Sequence, residues 1–178
     1  MTTERHTPLT DLESDALAEL ANVAMARASV SLRTMIQHEV LLSVPNVEIL
    51  APKEAIARVA KPGNPNLVAV RQDFSGVFSG RALLIFPEAS SLELVRVVVG
   101  RQLALEDIVD LEDEALAETG NIILNSWVAT IANLLKKNLK MSLPVVIRRD
   151  QSHIFESVIP SVAELRSLIA DYVVSLTR

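Results

Sequence analysis

Thirteen residues of this chain occur almost twice. "DLESDALAELANV" begins at Asp11 and "DLEDEALAETGNI" at Asp110, 99 positions later, and eight of the thirteen letters are identical. A repeat that occurs only twice does not build a solenoid, which needs three or more stacked units. It points instead to one α/β unit used twice about a pseudo-two-fold axis. The expected class is α+β, with a helix-strand-helix-hairpin unit in duplicate and two long helices packed on a mixed, mainly antiparallel sheet. At 178 residues the chain has the length of a single domain. Both copies are therefore expected to share one core, the first over about 9–104 and the second over about 105–178.

Local patterns fill in that outline. Thr10 and Glu13 have capping-box spacing. Neither Pro nor Gly follows until beyond Leu42, which predicts a rod of roughly 45 Å at about 1.5 Å per residue. Leu17, Leu20, Ala24, Ala28, Ser31, Met35 and Leu42 recur at helical spacing and are expected to face inward. "SVPNVEIL" reads as a strand with Pro45 at its start, "PKEAIARVA" as a short helix opened by Pro52, and "KPGNPN" as a loop. "LVAVRQDFSG" and "VFSGRALLIF" alternate like the strands of a hairpin. "PEASSLELVRVVVG" closes the first half as a helix. The second half restarts with a long helix from about Asp110 to Lys140, a strand around "LPVVIRR", a short helix in "IPSVAELRSLIA" and a strand in "DYVVSLT". A last strand and helix are missing by comparison with the first half. The chain is thus expected to be a fragment or naturally short, with a sheet edge that needs cover.

Composition excludes several function classes. Apolar residues make up 49% and charged residues 22%, the balance of a well-buried globular chain. No uncharged apolar span reaches about 18 residues, so membrane insertion is not expected. The opening "MTTERHTPLT" lacks the apolar core of an export signal, which suggests the cytoplasm. There is no Cys, and His6, His38 and His153 lack metal-ligand spacing, so no metal site is expected. A net charge of −5 argues against nucleic-acid binding. The basic letters of "LLKKNLK" and "VIRRD" read as solvated helix ends. Neither a Gly-rich phosphate loop nor a nucleophile elbow occurs. Trp127, on the second long helix, is expected in the core or at an interface.

The polar letters of the repeat carry more information than the apolar ones. Residues three and four apart share a helix face, which lines up Asp15, Glu19 and Asn22, continued by Ala26, Ser29 and Arg33. Glu114, Glu118, Asn121 and Asn125 form the corresponding stripe on the second helix. A solvated face would explain the acids. Asn is a mediocre helix former, because its side chain competes for backbone hydrogen bonds, yet it stands mid-helix in both copies. Twenty-two residues separate Asn22 from Pro45, and twenty-two separate Asn121 from Pro144. The full pattern is acid-x3-Glu-x2-Asn-x22-Pro, present twice.

That pattern resembles the signature of the CheC/CheX/FliY family of chemotaxis phosphatases, Asp/Ser-x3-Glu-x2-Asn-x22-Pro. "DALAELAN…P" and "EALAETGN…P" carry the likeness, which runs from about Leu9 to the end of the chain. Two motifs in one chain resemble CheC more than CheX. Glu114 stands where the signature has Asp or Ser, and Ala21, Ala24 and Ala26 lie where family members commonly carry Gly.

The resemblance implies hydrolysis of the aspartyl-phosphate of a CheY-like response regulator. Glu19 with Asn22 and Glu118 with Asn121 would be the catalytic pairs, Asp15 and Glu114 partner-binding residues, and Pro45 and Pro144 structural. No cofactor of its own is implied; Mg²⁺ belongs to the partner regulator. The residue types suit this chemistry, since phosphoryl transfer depends mostly on positioning and electrostatics. A carboxamide oxygen can accept a hydrogen bond from the attacking water without titrating, while the Glu docks against cationic residues of the regulator. The competing expectations are a non-catalytic module that binds a response regulator or a CheD-type deamidase, and a structural part of the flagellar switch.

Overall fold

The computed structural model describes residues 9–37, 40–50, 52–59, 66–99, 105–150 and 167–176. Among these residues ten elements follow one another: α1 (Asp11–Ile36), β1 (Val40–Leu50), α2 (Pro52–Val59), β2 (Asn66–Gly76), β3 (Gly80–Pro87), α3 (Glu88–Val99), α4 (Leu105–Leu135), β4 (Leu139–Met141), β5 (Val145–Asp150) and β6 (Ser167–Leu176). The class is α+β, as expected, and every pairing among the described strands is antiparallel. The strands form two sheets. β1 pairs with β6, while β2 pairs with β3 on one side and with β4 and β5 in succession on the other.

α1 starts where its capping box says it should. Thr10 Oγ1 accepts from the Glu13 backbone N–H at 3.3 Å, and Glu13 Oε2 accepts from the Thr10 N–H at 2.8 Å. The bond from the Thr10 backbone, with that from its hydroxyl second, holds the Glu13 carboxyl below its ordinary 4.5. A carboxyl depressed in the fold stabilises it above the ordinary value, and that contribution is lost as pH falls through the lower folded value. The acid side of a Tm-against-pH profile is therefore expected to flatten in Glu13→Gln relative to the parent below about pH 4.5. An identical slope in both proteins would show that the cap contributes nothing.

Both long helices end earlier than their patterns suggest. Gln37 turns left-handed at φ 55° and its N–H closes onto the Arg33 carbonyl at 2.9 Å. Lys136, again 99 positions on, does the same at φ 51°, and the Lys137 N–H reaches the Ala132 carbonyl at 2.9 Å. Glycine is the usual residue for such a cap; neither cap has one, so the sequence gives no stop signal. Leu42 consequently lies in β1 and not on a helix, and Ser31 is exposed. The buried residues of α1 are Ala21, Ala24, Met25, Ala28 and Leu32, with Leu17 and Met35 packed at the margin. α4 begins at Leu105, a turn before the repeat itself.

The main core lies between the helices and one face of β2 and β3. Val68 and Val70 of β2 and Leu84 and Phe86 of β3 meet Met25, Leu116, Ile123 and Leu124, with Val95 of α3 and Trp127 at the side. α4 packs on β2 and β3, α1 packs on β1 and against α4, and α3 packs against α4. The other face of β2 carries Leu67 and Ala69, covered by Ile56 of α2 with Leu83, Ile85 and Ile147. Successive strand residues point to opposite faces, so Val68, Val70 and Gln72 all lie under α4.

A buried glutamate ties α4 to α3 and β5. Glu112, 8% exposed, accepts from Ser91 Oγ at 2.7 Å and pairs with Arg148 Nη2 at 3.0 Å. Arg148 also binds Asp113 at 2.8 Å. Burial works against its charge, but the bonds and charges of Asp113 and Glu112 outweigh that and raise its pKa. Both arginines of "VIRRD" are thus strand residues and not part of a helix end, and the first, Arg148, joins β5 to α4. Glu13 and Glu112 occupy equivalent places in the thirteen-residue stretches, yet one caps a helix and the other anchors a strand.

The helix expected in "IPSVAELRSLIA" lies outside the described residues as far as Arg166. Its last four letters belong to β6.

Candidate functional site

Both motif prolines follow the turn from helix to strand, which is made by Gln37 and Lys136. In β1 the pairing shifts between Ser43 and Asn46: Ser43 faces Val173 and Asn46 faces Asp171, so Val44 and Pro45 stand opposite Tyr172 alone. Beside β2, Met141 faces Phe74 and Val145 faces Arg71, leaving Ser142, Leu143 and Pro144 opposite Gln72 and Asp73. Each proline therefore sits in a stretch with one extra residue, a β-bulge, where a missing N–H costs no ladder bond. Pro45 is mid-strand, and not at the strand start as the pattern suggested.

The second bulge is closed by side chains. The Ser142 N–H donates to the Asp73 carbonyl at 2.8 Å, and the Asp73 N–H donates to Ser142 Oγ at 2.9 Å. Gln72 Nε2 then donates to the Ser142 carbonyl at 2.8 Å. The same nitrogen donates to Asn121 Oδ1 at 3.0 Å. The bulge two residues before Pro144 is thereby linked through one buried amide to the motif asparagine.

On α1, Asp15, Glu19 and Asn22 are all exposed, continued by exposed Ala26 and Arg33. Ser29 is half-buried and its Oγ accepts from the Leu42 N–H at 3.0 Å, joining the helix to β1. On α4, Glu114 and Glu118 are exposed, while Asn121 and Asn125 are half-buried. Asn125 Nδ2 donates to Asn121 Oδ1 at 2.6 Å, the second bond to that oxygen. The two helices touch, and Arg27 Nη1 donates to Thr130 Oγ1 at 3.3 Å across them. The motifs thus share a residue pattern but differ in setting: Asn22 lies at the surface, and Asn121 is held from beneath.

Gly120 explains how α4 comes so near β2. A Cβ there would lie 2.5 Å from Val70 Cγ1 and 2.6 Å from Val70 Cβ. Only glycine permits that approach, and the approach brings Asn121 within reach of Gln72. Sequence reasoning passed over Gln72 and Ser142. A signal for Gln72 exists, since it is a polar letter on the inward row of β2 after Val68 and Val70.

No helix among the described residues is long and apolar enough to cross a membrane. No group of three or more His, Cys, Asp or Glu among them is placed to hold a metal ion. The three histidines lie outside the described residues.

The chain thus carries a glutamate–asparagine pair on each of two long helices packed over antiparallel sheets. No protein-family model matches it. It is 21% identical over 140 residues to the flagellar motor switch phosphatase FliY of Bacillus subtilis, covering 78% of this chain and 36% of that protein. It is 23% identical over 137 residues to the CheY-P phosphatase CheC of Bacillus subtilis, covering 75% of this chain and 65% of that protein. The chain therefore spans between about a third and two thirds of the curated relatives it matches.

Among solved structures, Thermotoga maritima FliY superposes with a TM-score of 0.76 at 18% identity, over 94% of this chain and 85% of that one. FliM from the Helicobacter pylori FliG–FliM complex superposes with a TM-score of 0.59 at 11% identity, over 95% and 88%. In sequence the chain resembles FliY and CheC, and in fold it resembles FliY, proteins of the CheC/CheX/FliY family.

Proposed function

We propose that this chain removes the phosphoryl group from the aspartyl-phosphate of a CheY-like response regulator in chemotaxis signalling. The observation that carries the reading is the exposed Glu19–Asn22 pair, one turn apart on a capped helix whose opposite side is packed in the core. The names of the FliY and CheC relatives support it.

An acyl phosphate is already activated, and the regulator brings its own Mg²⁺. What a partner has to add is an in-line water. Asn22 orients that water through its carboxamide, a neutral group with both an acceptor and donors. Glu19, on the same face, docks against a cationic side chain of the regulator, and Asp15 extends the acidic contact. Glu118 and Asn121, with Glu114, form a second pair on α4. Holding these groups on helices keeps them within the narrow tolerances that such chemistry needs. Pro45 and Pro144 act structurally, at bulges.

A second reading is a docking module for a response regulator or a CheD-type deamidase with little turnover. Two observations favour it: the Asn121 oxygen is already engaged, and the fold is shared with a FliM found in complex with FliG.

One experiment separates the two. A CheY-like regulator is loaded with acetyl phosphate in Mg²⁺, and its decay is followed with a catalytic amount of this chain, alongside binding of the regulator. Acceleration of at least about 10-fold is expected from oriented water alone. Binding without acceleration would leave the docking module; neither would remove both readings.

A further inference from the structure

Gln72 is 1% exposed, and its Oε1 has no hydrogen-bond partner among the described residues. A buried acceptor left unpaired costs stability that an apolar side chain of the same shape would not, so packing gives no reason for an amide here. Its nitrogen does give one. The Ser142 carbonyl oxygen can only accept, so the Gln72 atom 2.8 Å from it is Nε2. That nitrogen also lies 3.0 Å from the Asn121 carboxamide, whose facing atom must then be Oδ1. Asn125 Nδ2 fills the remaining acceptor position of the same oxygen at 2.6 Å. A carboxamide oxygen has two lone pairs, and both are taken. What Asn121 keeps for a partner is its Nδ2 group, beside exposed Glu118.

Resting on the phosphatase reading, we propose that the α4 motif is a hydrogen-bond donor site for the oxygens of the regulator's phosphoryl group, and that Gln72 is its positioning residue. The backbone bulge at Ser142 sets the direction of the Gln72 amide, Gln72 sets that of Asn121, and Asn125 locks it. N–H groups fixed in advance toward phosphoryl oxygens stabilise negative charge without reorganising. The two motifs then differ in task. At the α1 motif Asn22 orients the water, whereas at the α4 motif the fixed Asn121 donor stabilises charge on the phosphoryl oxygens. Each face accelerates loss of the group by itself. The x22 spacing to Pro144 acquires a purpose as well, because it places the bulge carbonyl that orients the chain of amides.

The test uses the full chain carrying Asn22→Ala, so that α4 supplies the remaining activity. Adding Gln72→Leu is expected to lower kcat roughly 10-fold, a fraction of what misplacing a reacting group can cost. KM for the phosphorylated regulator should change less than twofold or so, and Tm should not fall. Asn125→Asp, whose carboxylate accepts where the amide donates, should lower kcat similarly and decides the matter if Gln72→Leu does not fold. In nitrogen-15 spectra, the Asn121 side-chain signals, identified by their loss in Asn121→Ala, should shift in both variants. Unchanged kcat with unmoved Asn121 signals overturns the inference while leaving the phosphatase reading in place. A parent chain that never accelerates decay removes that reading and the inference with it.

Discussion

Replacing both motif amides, Asn22→Ala with Asn121→Ala, is expected to slow chain-catalysed loss of the regulator's acyl phosphate by roughly 10²-fold, the scale on which a misplaced reacting group loses rate. Stability should change little. Asn22 is exposed, and Gln72 keeps its bond to the Ser142 carbonyl when Asn121 is shortened. That combination separates chemistry from folding: melting curves of parent and variant should nearly overlay while their rates do not. The single variants then apportion the loss between faces. Asn22→Ala alone should cost more than Asn121→Ala, because Asn22 is exposed whereas Asn121 is half-buried with its oxygen bound by the Gln72 and Asn125 amides. Equal losses would mean that the occupied oxygen is released when the regulator docks.

Gly120→Ala is expected to produce the largest effect on stability, a net loss of about 2 kcal/mol. A methyl group at that position would be driven into Val70, a fully buried β-branched residue whose own Cβ would be 2.6 Å away. A rotamer change cannot remove that clash, so α4 must lift from β2. Overpacking of this kind costs typically 1–3 kcal/mol, offset by up to about 1 kcal/mol from the better helix propensity of Ala. Chemical denaturation measures the difference directly. The same displacement pulls Asn121 away from Gln72 Nε2, so activity of the α4 motif should fall in protein that remains folded. Ala21 occupies the equivalent place on α1 and is fully buried with its Cβ.

Much of the architecture could be read from the letters, for identifiable reasons. The capping box of Thr10 and Glu13, the alternation of β2 and β3 and the Pro-started α2 are local signals, and local signals are strong where nothing distant competes. The exposed Asp15, Glu19 and Asn22 followed from helical periodicity alone. What the sequence concealed was of two kinds. Gln37 and Lys136 end their helices in a left-handed conformation without the glycine that usually marks it, so periodicity alone carries both rods past their true ends. Pro45 and Pro144 mark bulges, which depend on the partner strand and leave no trace within a single strand. The occupied oxygen of Asn121 belongs to the same class. It arises from Gln72 and Ser142, 49 and 21 positions away in the chain, brought together only by the seating of α4 on β2.

The most direct measurement is phosphate release from an excess of phosphorylated CheY-like regulator by a substoichiometric amount of this chain. Many phosphates released per chain, falling to the regulator's own rate in Asn22→Ala with Asn121→Ala, is the expected result. Release at the regulator's own rate with the unaltered chain, or rapid release that persists without either amide, would contradict it.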